Sequence, residues 1–166
     1  MTTKASWFWS LCALVTALDV VTKRVAEQAL QPMHVPHQVV GDVLRFTLTY
    51  NPGAAFSMSL GEYSRWGFTI MATVVLVVLI RSLRTTEDND RWQAAALGLV
   101  SGGAIGNLLD RLRHVHGVVD FIDIGVGDLR FWTFNVADMG VTVGAVMLII
   151  AMLRAPSRAA STEKVL

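Results

Sequence analysis

Four strongly apolar stretches without a single charged residue dominate this sequence. They cover residues 5–18, 66–80, 92–109 and 139–153. A helix that spans a membrane needs about 20 mostly apolar residues, so each stretch must include flanking residues to cross. The chain as a whole is 53% hydrophobic and only 16% charged, against about 25% charged in soluble domains. The pattern therefore predicts an α-helical integral membrane protein with four transmembrane helices and argues against a soluble enzyme.

We predict a single membrane domain over residues 1–166. The charge-free stretch at 46–61 contains an Asn-Pro-Gly turn and alternating residues, which is typical of strands. A small β unit outside the cytoplasm is therefore expected between the first two helices. Two short strands at 118–124 and 129–134 are expected in the later loop. The expected elements are helices at about 6–28, 64–83, 93–111 and 135–154, the β unit at about 42–60, an outer loop at 112–134, and a mobile tail at 155–166.

The distribution of Lys and Arg predicts the orientation of the helices. The termini and the 81–91 linker hold seven of these residues in 28 positions, whereas the two longer loops hold five in 62. Cytoplasmic segments carry the excess of positive charge, so both termini are expected inside and both longer loops outside. The first helix is expected to be retained, because no signal-peptide cleavage site follows it. Cys12 is expected to be a packing residue, and the net charge of +1 gives no overall attraction for nucleic acid.

Polar residues interrupt the apolar stretches at positions that share a helix face. Asp19, Thr22 and Lys23 lie at i, i+3 and i+4. The same spacing relates Asn107, Asp110 and Arg111, and Asn135 lies three residues before Asp138. Taken alone, each group is explained by a structural ion pair or a hydrogen bond between helices. In the predicted topology, however, all of them fall at the outer membrane boundary, which favours one site that opens outward.

Five segments carry a family resemblance. They are DVVTK (19–23), NPGAAF (51–56), GGAIGNLLDR (102–111), VDF (119–121) and FNVAD (134–138). In order and spacing they resemble the five motifs of bacterial lipoprotein signal peptidase, also called signal peptidase II. The third and fifth segments together are highly specific for that family.

The resemblance implies an aspartyl endopeptidase of the bacterial inner membrane, with its active site at the outer, periplasmic face. It implies cleavage of diacylglyceryl-modified prolipoproteins just before the lipidated cysteine, with Asp120 and Asp138 as the catalytic pair and no cofactor. We expect a monomer whose partners are these substrates and membrane lipid. The supporting positions that the resemblance implies are Asp19, Lys23, Asn51, Asn107, Arg111 and Asn135.

The residue types agree with that chemistry. Two carboxylates around one water can hydrolyse a peptide bond if they share a proton. Gly53 and Ala54 leave room for a substrate strand, and Phe56 beside them is a candidate clamp. We expect Asp110 to have a structural role, either pairing with Arg113 or capping a helix.

Three other interpretations compete with this one. Gly125-Val-Gly-Asp128 matches a motif of presenilin-like intramembrane proteases, but here it joins two alternating apolar runs and is expected to be a hairpin turn. Asp123 is expected to face away from Asp120 and to be non-catalytic. The histidines at 34, 37, 114 and 116 lack the spacing of a zinc site. A small transporter or channel subunit with buried Asp and Lys as an ion relay remains the alternative from another functional class.

Overall fold

The computed structural model describes residues 2–52 and 63–154. Four helices and four strands lie in these two ranges. The helices are α1 (Thr3–Ala29), α2 (Ser64–Thr85), α3 (Arg91–Arg113) and α4 (Val136–Arg154). The strands are β1 (His37–Val40), β2 (Leu44–Asn51), β3 (Val118–Val126) and β4 (Leu129–Arg130).

Within residues 2–52 and 63–154, three helices are long and apolar enough to cross a membrane. These are α1, α2 and α4, with mean hydropathies of 1.5, 2.0 and 2.2 over their most apolar windows. Their outward faces expose large apolar side chains, such as Ile70 on α2 and Ile149 on α4, at 64% and 56% exposure. Exposed aliphatic surface of this extent suits a lipid environment and not water.

Helix α3 has a different surface because it packs against all three of the other helices. Its Asp90 cap accepts a hydrogen bond from the Gln93 amide at 2.9 Å. Most of the side chains that α3 buries are small: Ala94, Ala95, Ala96, Leu97, Gly98, Val100, Ser101, Gly102, Gly103, Gly106 and Asp110. Because the other helices cover much of α3, less of its surface is available to contact lipid.

Glycines set the distance between α3 and its neighbours. A Cβ atom added at Gly98 would lie 2.6 Å from the Phe8 carbonyl oxygen, and one at Gly102 would lie 2.7 Å from that of Cys12. A Cβ at Gly144 of α4 would lie 2.7 Å from the Ala96 carbonyl oxygen. Close backbone approach of this kind is what small residues allow between membrane helices. The tight packing predicted from these glycines is confirmed, and Cys12 is buried between the helices as expected.

The strands form one antiparallel sheet in the order β1-β2-β3-β4. Strand β2 pairs with β3 from the other loop, with Thr49 opposite Asp120 and Asn51 opposite Val118. Buried Leu48, Val119 and Phe121 pack against Ala26 and Leu30 at the end of α1. The sheet is therefore fixed to the helices by its own apolar face.

The sequence predicted strands in both loops but did not join them. It placed a separate β unit at about 42–60, whereas the sheet begins at His37 and its second strand ends at Asn51. Residues 53–62 lie outside the described part of the chain. Pairing between segments about 70 residues apart leaves no periodic signal in either of them, which explains the difference.

The hairpin that connects β3 to β4 turns at Gly127 and Asp128, with Gly127 at φ 56°. The predicted turn at the Gly-x-Gly-Asp sequence is confirmed, and Asp128 is exposed at its tip. Asp123 accepts hydrogen bonds from Arg130 Nε at 2.6 Å and from Thr47 Oγ1 at 3.1 Å. Asp123 thus helps to hold the sheet together, and its non-catalytic role stays a prediction.

Candidate active site

Polar side chains from five elements meet where the sheet contacts one end of the helices. Asp19 and Lys23 come from α1, Asn107, Asp110 and Arg111 from α3, Asn51 from β2, Asp120 from β3, and Asn135 and Asp138 from the start of α4. Asp19 and Asn135 are fully buried, and Lys23, Asp110 and Asp120 are at most 5% exposed. The side chains that the sequence analysis placed at one level therefore form one cluster.

Two amide side chains connect the two carboxylates of interest. Asn135 Nδ2 donates to Asp120 Oδ1 at 2.6 Å, and Asn107 Nδ2 donates to Asp138 Oδ1 at 2.8 Å. Asn135 Nδ2 also lies 3.2 Å from Asn107 Oδ1, which closes the bridge. Asp120 and Asp138 are thus held by neighbouring amides and interact electrostatically.

The start of α4 fixes Asp138 through its own cap. The Asp138 amide donates to Asn135 Oδ1 at 2.9 Å, and the Asn135 amide donates to Asp138 Oδ2 at 3.2 Å. This reciprocal pattern is a capping box, in which the cap and the third helical residue satisfy each other's backbone amides. The i, i+3 spacing seen in the sequence therefore has a local structural cause as well as a place in the site.

Lys23 lies at the centre of the charged part of the cluster. Its Nζ is 2.7 Å from Asp19 Oδ2, 2.8 Å from Asp110 Oδ2 and 2.9 Å from Asn107 Oδ1. Asp19 also accepts the Ala137 amide of α4 at 2.8 Å. A buried charge is tolerated only when it is paired and hydrogen-bonded, and each of these groups meets that condition. The ammonium thereby holds Asn107, which in turn holds Asp138.

The position of Asp110 corrects the sequence analysis. We expected it to pair with Arg113 or to cap a helix, but it pairs with Lys23, and its Oδ2 accepts the Val119 amide at 3.1 Å. Val119 directly precedes Asp120, so Asp110 connects α3 to the strand that carries a catalytic candidate. The i, i+3 spacing from Asn107 was a signal for this role, and the nearer basic residue obscured it.

Asn51 and Arg111 both interact with the carboxylates. The Asn51 side chain is hydrogen-bonded to Asp120. Arg111 Nη1 donates to the Asn107 carbonyl at 3.3 Å, and its guanidinium lies over the Phe68 ring, 5.6 Å from the centroid. Arg111 Nε is buried without a hydrogen-bond partner among the described residues. This leaves a donor close to Asp120 and Asp138.

Asp120 has the environment of a general acid or base. Burial raises the pKa of its carboxyl group most, and the nearby charge of Asp138 raises it further, to about 7. The hydrogen bonds from Asn135 and Asn51 act in the opposite direction because they stabilise the ionised form. A carboxyl group with a pKa near neutrality can exchange a proton during a reaction at physiological pH.

An apolar cavity of about 380 Å³ lies beside Asp138. It is lined by Phe131, Phe134, Met139, Thr142 and Val143 together with Asp138 itself. A partly exposed carboxylate at the wall of an apolar cavity is the arrangement expected where an apolar substrate meets a reacting group. Gly53, Ala54 and Phe56, which we expected to contact substrate, lie outside the described residues.

The chain is similar in sequence to known proteins over most of its length. The family model for signal peptidase (SPase) II matches residues 11–154. The chain belongs to the signal peptidase II family. It is 43% identical to the lipoprotein signal peptidase of Pseudomonas putida over 154 residues, covering 91% of this chain and 88% of that one. It is 42% identical to a Coxiella burnetii lipoprotein signal peptidase, covering 91% of both chains.

The fold is similar to that of a solved bacterial membrane enzyme. The TM-score is 0.77 at 29% sequence identity, over 92% of this chain and 91% of the other. A second solved bacterial membrane enzyme gives the same TM-score and identity over 87% of this chain. Membership in the family makes this chain a membrane-bound peptidase.

Two of the four histidines contact Glu27 and Tyr50. His114 Nε2 is 3.6 Å from Glu27 Oε1, and the rings of His114 and His116 both lie 5.8 Å from that of Tyr50. Within residues 2–52 and 63–154, no group of three His, Cys, Asp or Glu side chains is arranged to hold a metal ion. The carboxylates of the candidate site already accept hydrogen bonds from amides or pair with Lys23.

Proposed function

We propose that the chain cleaves the signal peptide from diacylglyceryl-modified prolipoproteins, just before the lipidated cysteine, with Asp120 and Asp138 as an aspartyl dyad. The observation that supports this most directly is the Asn135–Asn107 bridge, which holds the two carboxylates in one hydrogen-bonded unit. The relatives named above are lipoprotein signal peptidases, and this chain is 42–43% identical to them over 154 residues.

Proton sharing between the two carboxylates accounts for the chemistry. Because the pKa of Asp120 is about 7, its carboxyl group still holds a proton in about half of the molecules at neutral pH. The ionised carboxylate takes a proton from a water molecule, whose oxygen attacks the carbonyl carbon of the scissile bond. The protonated carboxyl donates to the carbonyl oxygen, and a proton returns to the leaving amine when the bond breaks. Which carboxyl group is protonated is a property of the pair.

The supporting residues have two separate tasks in this scheme. Asn51, Asn107 and Asn135 fix the orientation of the carboxylates, and Asp19, Lys23 and Asp110 fix Asn107 and the backbone of β3. The Arg111 guanidinium, whose Nε has no hydrogen-bond partner among residues 2–52 and 63–154, is a candidate donor to the backbone of an extended substrate or to the oxyanion. Gly53, Ala54 and Phe56 remain candidates for a turn that clamps the substrate.

We infer that α3 is a fourth membrane span and that both termini are cytoplasmic. At 1.5 Å per residue the 23 residues of α3 extend about 34 Å, enough for a hydrocarbon core of about 30 Å. Its neighbours α1, α2 and α4 separate most of it from lipid. The distribution of Lys and Arg then puts the site at the outer face of the inner membrane.

Lipid modification explains how a substrate reaches this depth. The cavity beside Asp138 is lined mainly by apolar side chains, and each buried CH₂ of an acyl chain contributes about 0.8 kcal/mol. Two acyl chains thereby hold the extended segment at the membrane boundary, where the carboxylates lie. This binding energy positions the scissile bond for attack.

Cleavage of matched precursors by the purified chain in detergent tests the proposal. The peptide with diacylglyceryl-cysteine should be cut before that cysteine, and the same peptide with bare cysteine should remain intact at equal concentration. Asp138→Asn serves as the inactive control and Asp128→Asn, at the exposed hairpin tip, as the active one. Equal cleavage of the two peptides would exclude the lipid as the positioning element, and no cleavage of either would exclude the proposed activity.

A further inference from the structure

A second cavity lies in the crevice between α1 and α3. It has a volume of about 220 Å³ and is lined by Val20, Lys23, Arg24, Glu27, Asp110, Arg113 and His114. None of these residues lines the apolar cavity beside Asp138. The two cavities are therefore separate openings, and the second one is predominantly polar.

The charges around this cavity are unevenly satisfied. Lys23 is neutralised by Asp110 and Asp19 at 2.8 and 2.7 Å. Glu27 Oε1 accepts the Tyr50 hydroxyl at 2.7 Å and lies 3.6 Å from His114 Nε2. Burial, with Glu27 beside it, raises the pKa of Tyr50 to about 12, so this hydroxyl keeps its proton. Both carboxylates in the wall are thus already occupied by donors.

The two arginines in the same wall have no such partners. Across residues 2–52 and 63–154, no carboxylate forms an ion pair with Arg24 or Arg113, and both side chains are exposed. They come from different helices and meet at one cavity. Two arginine side chains that line one small polar cavity can form a site for an anion with several oxygen atoms, because each guanidinium presents a planar pair of donors.

Exposed apolar side chains are neighbours in sequence of the two arginines and of Val20 on both helices. Val21 and Val25 of α1 are 59% and 58% exposed, and Leu112, next to Arg113, is 54% exposed. An anion that carries acyl chains can place its charged group in the cavity and its chains along these side chains. Long Arg side chains near the ends of membrane helices extend to the interface, where the lipid headgroups lie.

We propose that the crevice between α1 and α3 binds a phosphate group, supplied by an anionic phospholipid, through Arg24 and Arg113. The site is distinct from the catalytic carboxylates and does not depend on the proposed cleavage reaction. Because its wall includes Lys23 and Asp110, a bound lipid lies directly behind the ion pair that supports Asn107. One lipid molecule of the membrane is then a specific ligand of the folded enzyme, while the rest of the bilayer surrounds it.

Native mass spectrometry of the full chain in a nonionic detergent tests this site. Phosphatidylglycerol is the probe, phosphatidylcholine is the zwitterionic comparison, and inorganic phosphate is added separately in thermal unfolding. One phosphatidylglycerol should bind tightly, and Arg24→Gln/Arg113→Gln should weaken that binding about tenfold or more. Arg81→Gln/Arg84→Gln, which removes two exposed arginines of α2, is the matched control and should bind as the unmodified chain does.

The variants keep the outcome interpretable. Arg24→Lys/Arg113→Lys retains both charges without the planar donors, so it should bind phosphatidylglycerol with intermediate affinity. Lipid-free melting temperatures check that each variant is folded. An increase in melting temperature with inorganic phosphate that occurs only when Arg24 and Arg113 are present would support the site. If phosphatidylglycerol then causes no further increase in melting temperature, the site is assigned to free phosphate. Undiminished phosphatidylglycerol binding in Arg24→Gln/Arg113→Gln would overturn the proposal.

Discussion

At Asp120 a carboxyl group is almost fully buried beside a second carboxylate. Burial and Asp138 raise its pKa to about 7, while the amides of Asn135 and Asn51 favour the ionised form. The pKa therefore results from opposing contacts that differ in kind. Removing one contact at a time should change either the reaction rate or its pH dependence.

Replacing either member of the dyad should stop cleavage. Asp120→Asn and Asp138→Asn preserve the size of the side chain, but an amide cannot share a proton or act as a base. General acid–base groups contribute about 10²–10⁴-fold to a rate, so losses of at least that size are expected in kcat/KM. The measurement is cleavage of a lipidated precursor, and Asp128→Asn should stay active. An Asp128→Asn variant as inactive as Asp138→Asn would favour the intramembrane-protease interpretation.

The pH profile should show the titration of Asp120. Above about pH 7 the second carboxyl ionises, the shared proton is lost, and kcat/KM should fall. Asn51→Ala removes a donor that favours the ionised form, so the pKa of Asp120 rises and the high-pH limb should move upward. Profiles of the two proteins over pH 5–9 provide the check. A limb that moves downward in Asn51→Ala would contradict the assigned hydrogen bond.

Lys23 should be needed for stability because two carboxylates depend on it. In Lys23→Met, Asp19 and Asp110 remain buried without their counter-ion, and loss of one partner from a buried ion pair costs about 3–5 kcal/mol. Thermal unfolding in detergent should show a clearly lower melting temperature. The triple variant Asp19→Asn/Lys23→Met/Asp110→Asn should recover part of it. Equal melting temperatures for Lys23→Met and the unmodified chain would refute the buried pairing.

Among the elements, α3 depends most on close contact between backbones. Gly98 and Gly102 face carbonyl oxygens of α1, and a backbone oxygen cannot rotate away as a side chain can. The tolerance of each glycine to a methyl group should therefore depend on which atom it meets.

Gly102→Ala should destabilise the helix bundle more than Gly140→Ala does. The first methyl would lie 2.7 Å from the Cys12 carbonyl oxygen, and the second 2.8 Å from Cγ1 of Val15, a side chain that can move. Overpacking of this type costs about 1–3 kcal/mol in stability. We expect Gly102→Ala, which meets a backbone atom, to lie at the upper end of that range. Melting temperatures of the two variants test the order. The reverse order would show that α1 shifts more easily than Val15 rotates.

The sequence predicted these elements to different extents. The apolar stretches, the i, i+3 and i, i+4 polar spacings and the glycine row indicated the helices and most of the polar cluster, because each signal is local. The pairing of β2 with β3 and the contact between Asp110 and Lys23 were not predicted, because they join segments distant in sequence. Asp110 had a basic residue three positions away, and only the fold shows that Lys23 is its partner.

For the whole molecule, orientation in the membrane determines the side on which the candidate site meets its substrate. Asp88→Cys and an introduced cysteine at position 162, each in a Cys12→Ser background, should resist an impermeant thiol reagent in intact cells. Asp128→Cys, at the exposed hairpin tip, should react. The reason is the excess of Lys and Arg near the first two positions. Labelling of position 88 or 162 from outside would invert the proposed topology.

The weakly apolar surface of α3 has a consequence for biogenesis. This helix is not among the three that are apolar enough to enter a membrane by composition alone, and most of its buried side chains are small. The chain order places α1 and α2 ahead of it during synthesis, so two of its packing partners leave the ribosome first. We therefore expect α3 to enter the bilayer at the translocon together with α1 and α2. An isolated α3 segment should not insert and should be translocated across the membrane.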